Sequence, residues 1–395
     1  MANKPLPLDG IRVIELSLAV MGPLTGMVLA DMGAEVIKVE KAPDGDDTRR
    51  LKGFGAGFFP YFNRNKKSLV LDLKSSQGKE VLRRLLKTAD VMIENFAPGT
   101  IDRLGFGYDT VKELNPRLIY CSLKGFMPGP YEKRPALDEV CQMMGGLAYM
   151  TGPSGRPLRA GASVVDILGG TYGVVGILAA LWEREHTGEG QYLRATLYES
   201  VALLMAQHMA VAAITGEEPP PMPERGRAWS VYDLFPAADG QVFIGITSDR
   251  HWQRFCQVFG FNDLAENERL ATNQGRIEER HRLLPELRKR LQAMPKDRIM
   301  ALAEEARIPF APVTRPVELF DDPHLNQSGG LVEMALAPGV KAKMPRIPLR
   351  MDAHDFRLRS DPPAVGQGGE TVLRKLGYDD AQIEALRREG IIAAV

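Results

Sequence analysis

The stretch Gly10–Glu40, GIRVIELSLAVMGPLTGMVLADMGAEVIKVE, decides the fold. GIRVIEL over 10–16 reads as a short buried strand, SLAVMGP as the loop after it, and Pro23–Met32 as a helix closed by Gly33 in the usual terminating position. AEVIKVE over 34–40 is a second strand. Strand, helix and strand within ~30 residues make a βαβ unit, which implies parallel strands joined by a right-handed crossover. The first loop has no GxGxxG, so the dinucleotide fingerprint is absent where it would stand.

Outward from this unit the alternation continues. Asn63–Lys74 combines a basic turn with a strand, and Ser76–Ala89 places Val81, Leu82, Leu85, Leu86 and Ala89 on one helical face. Asp90–Glu94 is a strand ending at Asn95 and Phe96, a helix-rich segment follows to Pro116, and Leu118–Ser122 is a further strand. Strands alternating with helices predict an α/β fold with a doubly wound parallel sheet, whose ligands sit beyond the carboxyl ends of the strands. Those ends are 17–21, 95–96 and 124–126. Between the second and third strands, the charged run from Lys38 to Lys52 and the GFGAGFF at 53–59 read as either a substrate-side loop or a surface linker.

Asp138–Tyr149 is expected to be one helix with Gly145 and Gly146 inside it, and Leu197–Ala213 another. Composition then shifts at Gly216–Arg227, GEEPPPMPERGR, a proline-stiffened linker. The expected organisation is a large domain over 1–215, a linker over 216–228 and a small α+β domain over 229–330. The small domain begins with two strands, Val231–Phe235 and Val242–Ile246, around a turn, followed by helices His251–Phe259 and Ile277–Met294. Ile308–Val313, interrupted by two prolines, is an edge strand. Periodicity alone leaves open where the tail, with strands at Gly330–Leu336 and Ile347–Arg350 and a helix at Ala381–Glu389, belongs.

At 395 residues the chain exceeds the length at which a single core usually stops growing. Lysine plus arginine equals aspartate plus glutamate at 50 each, so no net field draws the molecule to nucleic acid or an anionic membrane. Cys121, Cys141 and Cys256 are too few and scattered for a disulfide framework and read as core residues in a reducing compartment. No secretory signal is readable, and the longest apolar stretch, Val174–Trp182, is far short of the ~20 residues of a membrane span. A cytoplasmic protein without membrane or nucleic-acid partners is expected.

RAGASVVDILGGTYGVVGILAALWER, over 159–184, holds Asp166 as its only carboxylate before Glu183. It also holds Gly169, Gly170, Gly173 and Gly176 in an otherwise apolar helix, where each glycine costs roughly 1 kcal/mol against alanine. Close approach of another backbone or a ligand would favour them. Asp166 reads either as the cap of that helix or as a functional carboxylate. No GxxxxGK[ST], HExxH or GxSxG is present, and none of the six histidines pairs with another at ligand spacing. Metal, phosphate-loop and serine chemistry have no motif here, and carboxylates remain.

Several segments resemble the family III CoA-transferases (CaiB/BaiF family), which include formyl-CoA transferase, and the related α-methylacyl-CoA racemases. They are VIELSLAVMGPLTGMVLADMGAEVIKVE, the long NKKSLVLDLK…ENFAPGTIDRLGFGYDTVKELNPRLIYCSLKGF, GGTYGVVGILAALWEREHTGEGQYL and RIPFAPVTRPVELFDDPHL. The resemblance spans nearly the whole chain. It implies a Rossmann-like large domain plus a small domain, an interlocked homodimer, and a tail over 331–395 that returns to the large domain. It also implies acyl-CoA and a small organic acid as substrates, with CoA passing through rather than resident.

In such transferases the carboxylate at the place of Asp166 attacks a thioester, and glycines beside it would let backbone N–H groups reach the oxyanion. The racemases pair the same aspartate with a histidine, where this chain has Leu137 before Asp138; a leucine exchanges no proton. The resemblance therefore implies a CoA-transferase, with succinyl-CoA as a candidate donor and a carboxylic or dicarboxylic acceptor. A racemase and a non-catalytic CoA-binding subunit are the alternatives. The CoA contacts implied are Ala19, Val20, Met21, Lys41, Leu71, Asn95, Phe96, Arg103, Leu104, Lys124 and Asp138. Lys41 stands where formyl-CoA transferases carry arginine, Val20 where they carry glutamine, and Pro135 where they carry lysine, so formyl and oxalate specificity is not implied. Arg227 and Arg250 are candidates for a second acceptor carboxylate.

Overall fold

The computed structural model describes residues 4–224 and 228–393. The chain divides into two compact units, one made of residues through Pro223 together with those from Pro323 onward, the other of Glu224–Asp322.

The first unit is built on six parallel strands: β1 (Arg12–Leu16), β2 (Glu35–Lys41), β3 (Lys66–Leu71), β4 (Val91–Glu94), β5 (Ile119–Lys124) and β6 (Tyr192–Thr196). Their order across the sheet is β3-β2-β1-β4-β5-β6, and every pairing is parallel. The order reverses between β1 and β4, which opens the crevice where doubly wound sheets bind ligands. β1 is buried on both faces because its side chains alternate. Val13 joins one core layer and Ile14 the other. α1 (Met21–Asp31) covers the Val13 side, and α2 (Ser76–Leu86) covers the Ile14 side together with two helices of the tail, Gly369–Lys375 and Asp380–Arg388.

α1, β1, β2 and the helix at 76–86 fall where periodicity places them, within a residue or two at the better ends. β6 and the helix Gly369–Lys375 carry too weak a local pattern to be read from sequence. The expected single helix over 138–149 is two, α4 (Asp138–Met144) and α5 (Leu147–Thr151), with α3 (Thr100–Leu104) preceding them. Gly146 stands between the two with φ at 85°, a conformation that glycine adopts at no steric cost and that ends a helix. The expected strand at 347–350 is irregular; Leu331–Ala337 instead pairs in antiparallel fashion with Val340–Pro345.

α6 (Val164–Thr187) and α7 (Leu197–Thr215) are each long and apolar enough to cross a membrane by length and composition, a property the shorter run 174–182 does not display. In the fold, α6 packs on α1, β5 and β6, so its apolar composition serves the core. Gly170 sits where an added Cβ would lie 2.6 Å from the Met21 carbonyl oxygen, and at Gly173 it would lie 3.0 Å from Leu123 and 3.2 Å from the Thr25 hydroxyl. The glycines thus permit α1 and α6 to touch, and Thr25 Oγ1 donates to the Gly170 carbonyl across the contact at 3.0 Å.

The second unit has an antiparallel sheet of β7 (Tyr232–Ala237), β8 (Gly240–Gly245) and β9 (Phe310–Pro312), with the proline-bearing β9 at the edge. Its core gathers Phe235, Ile244, Trp252, Phe255, Leu287 and Leu302. The expected helix 277–294 is broken at Glu279 into Asn273–Glu278 and Arg280–Gln292. All three cysteines are buried and free.

Candidate active site

Asp166 lies in the first turn of α6, half-buried, and does not cap it. The cap is supplied from another element. Asp138, buried at the start of α4, accepts through Oδ2 from the Val165 and Asp166 backbone N–H groups at 2.9 and 3.1 Å. Its Oδ1 accepts from Gln142 Nε2 at 2.6 Å and from Arg159 Nη2 at 3.4 Å. Arg159 in turn donates to the carbonyls of Ala160 and Ala162, and Gln142 Oε1 accepts from the Ala160 N–H. Asp138, Gln142 and Arg159 together therefore strap residues 159–163 down against the start of α6. The capping alternative for Asp166 is corrected by this geometry, because the orphan N–H groups of the helix are already taken.

The Asp166 carboxylate has no hydrogen-bond partner among the described residues. Burial, then the negative charge of Asp138, push its pKa up to about 7, against a smaller opposing pull from Arg159. Such a group is held poised between acid and carboxylate near neutrality and, once ionised, is more nucleophilic than an ordinary aspartate. Gly169, Gly170 and Gly173 pack against α1, Gly176 packs against Leu193 of β6, and all four lie inside α6, where backbone N–H groups beyond the first turn belong to the helix ladder rather than to a ligand. Leu137 stands immediately before α4, exposed, where it offers no proton-transferring group.

A second feature lies at the sheet's reversal point. A cavity of about 480 Å³ is lined by Leu16, Leu18, Lys41, Leu71, Phe96 and Leu104, among others, on the carboxyl ends of β1, β2 and β3. Asn95 joins the loops after β1 and β4 across this point: its Oδ1 accepts from the Leu18 N–H at 2.9 Å and its Nδ2 donates to the Leu18 carbonyl at 2.8 Å. Next to this pair of hydrogen bonds, Ala19 stands at φ 64°, an unusual left-handed conformation for a residue with a Cβ. From below, Lys38, fully buried, donates to the Ser17 carbonyl at 2.6 Å and pairs with Glu15 and Asp46. The same loop leads into α1, where Met21 reaches Gly169 of α6. It thus runs from the cavity to the helix that carries Asp166.

Of the residues implied as CoA contacts, Lys41, Leu71, Phe96 and Leu104 line the cavity, and Asn95 and Ala19 shape its rim. Val20 and Met21 are buried in the core, so only their backbone is available to a ligand. Arg103 is exposed on α3 and bonds Thr100 Oγ1. Lys124 is a brace: its ammonium is shared between Glu94 Oε2 and the Phe96 carbonyl, both at 2.7 Å. Asp138 caps α6 instead of lining the cavity. Arg250 is exposed on the helix Asp249–Phe259 of the second unit, and Arg227 lies outside the described residues. Leu18 falls in the strand end 17–21 expected to face a ligand, whereas Glu94, Gln142 and Arg159 were not legible as site residues, since each acts through a partner distant in the chain.

Comparison with known proteins agrees with these features. The sequence profile of "CoA-transferase family III" matches residues 8–368. The chain is 34% identical over 388 residues to succinate–glutarate CoA-transferase of Agrobacterium fabrum, covering 95% of this chain and 97% of that protein. It is 32% identical over 407 residues to formyl-CoA:oxalate CoA-transferase of Streptomyces coelicolor, covering 98% and 99%. The crystal structure of a CaiB/BaiF family protein from Brucella suis superposes with a TM-score of 0.86 at 33% identity, covering 94% of this chain and all of that one. With the matches running almost end to end, the chain belongs to CoA-transferase family III and is a transferase enzyme of that family.

Proposed function

We propose that this enzyme moves CoA from succinyl-CoA, or a similar acyl-CoA, to a small dicarboxylic acid, with Asp166 as the nucleophile. The observation that carries the reading is the Asp166 carboxylate itself: half-buried, without a hydrogen-bond partner among the described residues, and with leucine where a proton-transfer histidine would be needed. The names of both relatives pair CoA with a dicarboxylate, glutarate in one and oxalate in the other.

The steps balance without any other reactant. The Asp166 carboxylate attacks the donor thioester carbonyl, the C–S bond breaks, and an acyl-aspartyl anhydride and CoA thiolate result. The thiolate attacks the aspartyl carbonyl, which forms the aspartyl-CoA thioester and releases the donor acid. An acceptor carboxylate attacks that thioester to give a second anhydride and CoA thiolate. Attack of the thiolate on the acceptor's acyl carbon then yields the new acyl-CoA and restores the Asp166 carboxylate. In this reading the adenosine end of CoA occupies the cavity beside Lys41, Leu71 and Phe96, and the pantetheine arm follows the Ser17–Met21 loop toward α6. The apolar residues exposed on α6 and α7, among them Trp182, Met209 and Ile214, support a homodimer in which a second copy covers them. A cytoplasmic location accompanies this assignment.

The test is an exchange assay: succinyl-CoA incubated with glutarate, oxalate and monocarboxylic acids, with acyl-CoA products separated chromatographically. New dicarboxylyl-CoA in stoichiometric balance with free succinate is the expected outcome. Deuterium wash-in at the α-carbon of a 2-methylacyl-CoA without any acceptor would replace this reading with racemisation.

A further inference from the structure

Lys41 sits on the wall of the cavity at the end of β2, and its ammonium is held by Asp47 Oδ2 at 2.6 Å. The other oxygen of the same carboxylate, Oδ1, accepts from Arg50 Nη2 at 2.7 Å, while Arg50 Nη1 donates to the Asp44 carbonyl at 2.7 Å. One carboxylate thus bridges two cations, each oxygen taking one, at the mouth of a cavity of nucleotide size. All three side chains are largely exposed, at 59, 62 and 47% for Lys41, Asp47 and Arg50. Ion pairs this exposed are weak and easily exchanged.

Two cations spaced to share one carboxylate are also spaced to share the oxygens of one phosphate, with guanidinium and ammonium offering directed N–H donors. The 3′-phosphate of CoA, a monoester, carries more charge than the aspartate it displaces, and the diphosphate carries one negative charge on each phosphorus, two in all. We propose that Arg50, together with Lys41, receives a phosphate group of CoA, and that Asp47 is the resident anion that holds both cations in place until CoA arrives. This rests on the placement of CoA in this cavity. Its consequence is that Asp47 opposes CoA binding: it competes for the cations and repels the incoming phosphates. Leaving, it swings toward solvent with no buried partner to lose.

The test is calorimetric titration of the full-length protein with CoA and with dephospho-CoA, at low and high salt. Asp47→Asn is expected to tighten CoA binding by about three- to tenfold at low salt, and less at high salt, since screening weakens the repulsion removed. Arg50→Gln is expected to weaken binding by about three- to tenfold and to flatten the salt dependence. An Arg50→Gln effect that disappears with dephospho-CoA assigns Arg50 to the 3′-phosphate, and one that persists assigns it to the diphosphate; both support the proposal. Unchanged or weaker binding in Asp47→Asn, or unchanged binding in Arg50→Gln while Lys41→Gln weakens it, overturns the proposal and leaves the CoA site intact. If Lys41→Gln and Leu71→Asp both bind CoA as the parent does, CoA lies elsewhere and both readings fall.

Discussion

The Asp138 carboxylate accepts the backbone N–H groups of both Val165 and Asp166, so the residue that caps α6 is not the residue that α6 presents. The division has a chemical effect. A carboxylate that capped its own helix would be stabilised as the anion by those N–H groups. Burial disfavours the Asp166 anion most, and Asp138 adds to this by taking those N–H groups and setting a repelling charge beside it. Asp166 is left as a carboxyl group with its proton lost only near neutrality.

Activity should therefore follow the ionisation of Asp166. With a pKa of about 7, the nucleophilic form dominates above neutrality, and kcat/KM is expected to fall tenfold per pH unit well below pH 7. A profile of the half-reaction with donor alone checks this; a rate flat down to pH 5 contradicts it. Stability should move the opposite way. Between the ordinary aspartate pKa and 7 the folded chain holds a proton that the unfolded chain has lost, so stability falls as pH rises through that window and is level above it. Asp166→Asn removes this penalty, whose upper bound is about 4 kcal/mol, reduced by the solvent that reaches a half-buried group. Its thermal midpoint at pH 8 should exceed that of the parent, and the two midpoints should converge at pH 4.

Asp138→Asn and Asp138→Ala should part company. Asparagine retains an oxygen acceptor for the helix N–H groups but removes the charge, so the apparent pKa of the half-reaction should shift to lower pH; the capping bonds survive and only the acceptor for Gln142 and Arg159 is lost, so the stability loss should be smaller than that of alanine. Alanine leaves the helix start uncapped and Arg159 with only the more distant Glu139 carboxylate at 3.7 Å, costing about 1–2 kcal/mol in denaturant unfolding. Identical pH profiles in the parent and Asp138→Asn would show that Asp138 has no electrostatic role.

Much of this was legible in the sequence, for reasons that differ by residue. The βαβ unit shows because Val13, Ile14, Val36 and Ile37 are apolar on both sides of a two-faced sheet, and the pattern is local. Asp166 shows because it is the one carboxylate ahead of a glycine-rich helix. The function of those glycines does not, since Gly169 and Gly170 approach Met21, more than 140 residues earlier, and Gly173 and Gly176 approach Leu123 and Leu193 of the sheet. Nor does the capping by Asp138, which resembles any acidic residue in the first turn of its own helix. Lys124 and Lys38 look like solvent-facing cations in the sequence, and only the fold shows them enclosed by Glu94, Glu15 and Asp46.

Gly170→Ala places a Cβ 2.6 Å from the Met21 carbonyl oxygen and 3.0 Å from Leu24, both on α1. Separating two packed helices costs about 1–3 kcal/mol, more than the helix propensity gained by alanine. Lower stability in urea, with a larger loss of kcat than of CoA affinity, is expected, since α6 carries the nucleophile. A more stable protein would refute the close packing of α1 on α6.

Lys38→Met should cost about 3–5 kcal/mol, because it leaves the buried Glu15 and Asp46 carboxylates without that cation. It also frees the Ser17 carbonyl and so loosens the loop that Asn95 holds from above. Chemical denaturation gives the first effect and weakened CoA binding the second. A variant as stable as the parent would show that this buried network contributes nothing.

The most direct measurement is the intact mass of the enzyme after incubation with succinyl-CoA and rapid acid quench. A species heavier by CoA less one water, mapped to the peptide containing Asp166 and absent in Asp166→Asn and Asp166→Ala, is the predicted result. Rapid acyl exchange with no adduct at Asp166, or undiminished turnover by Asp166→Ala, would contradict its role as the nucleophile.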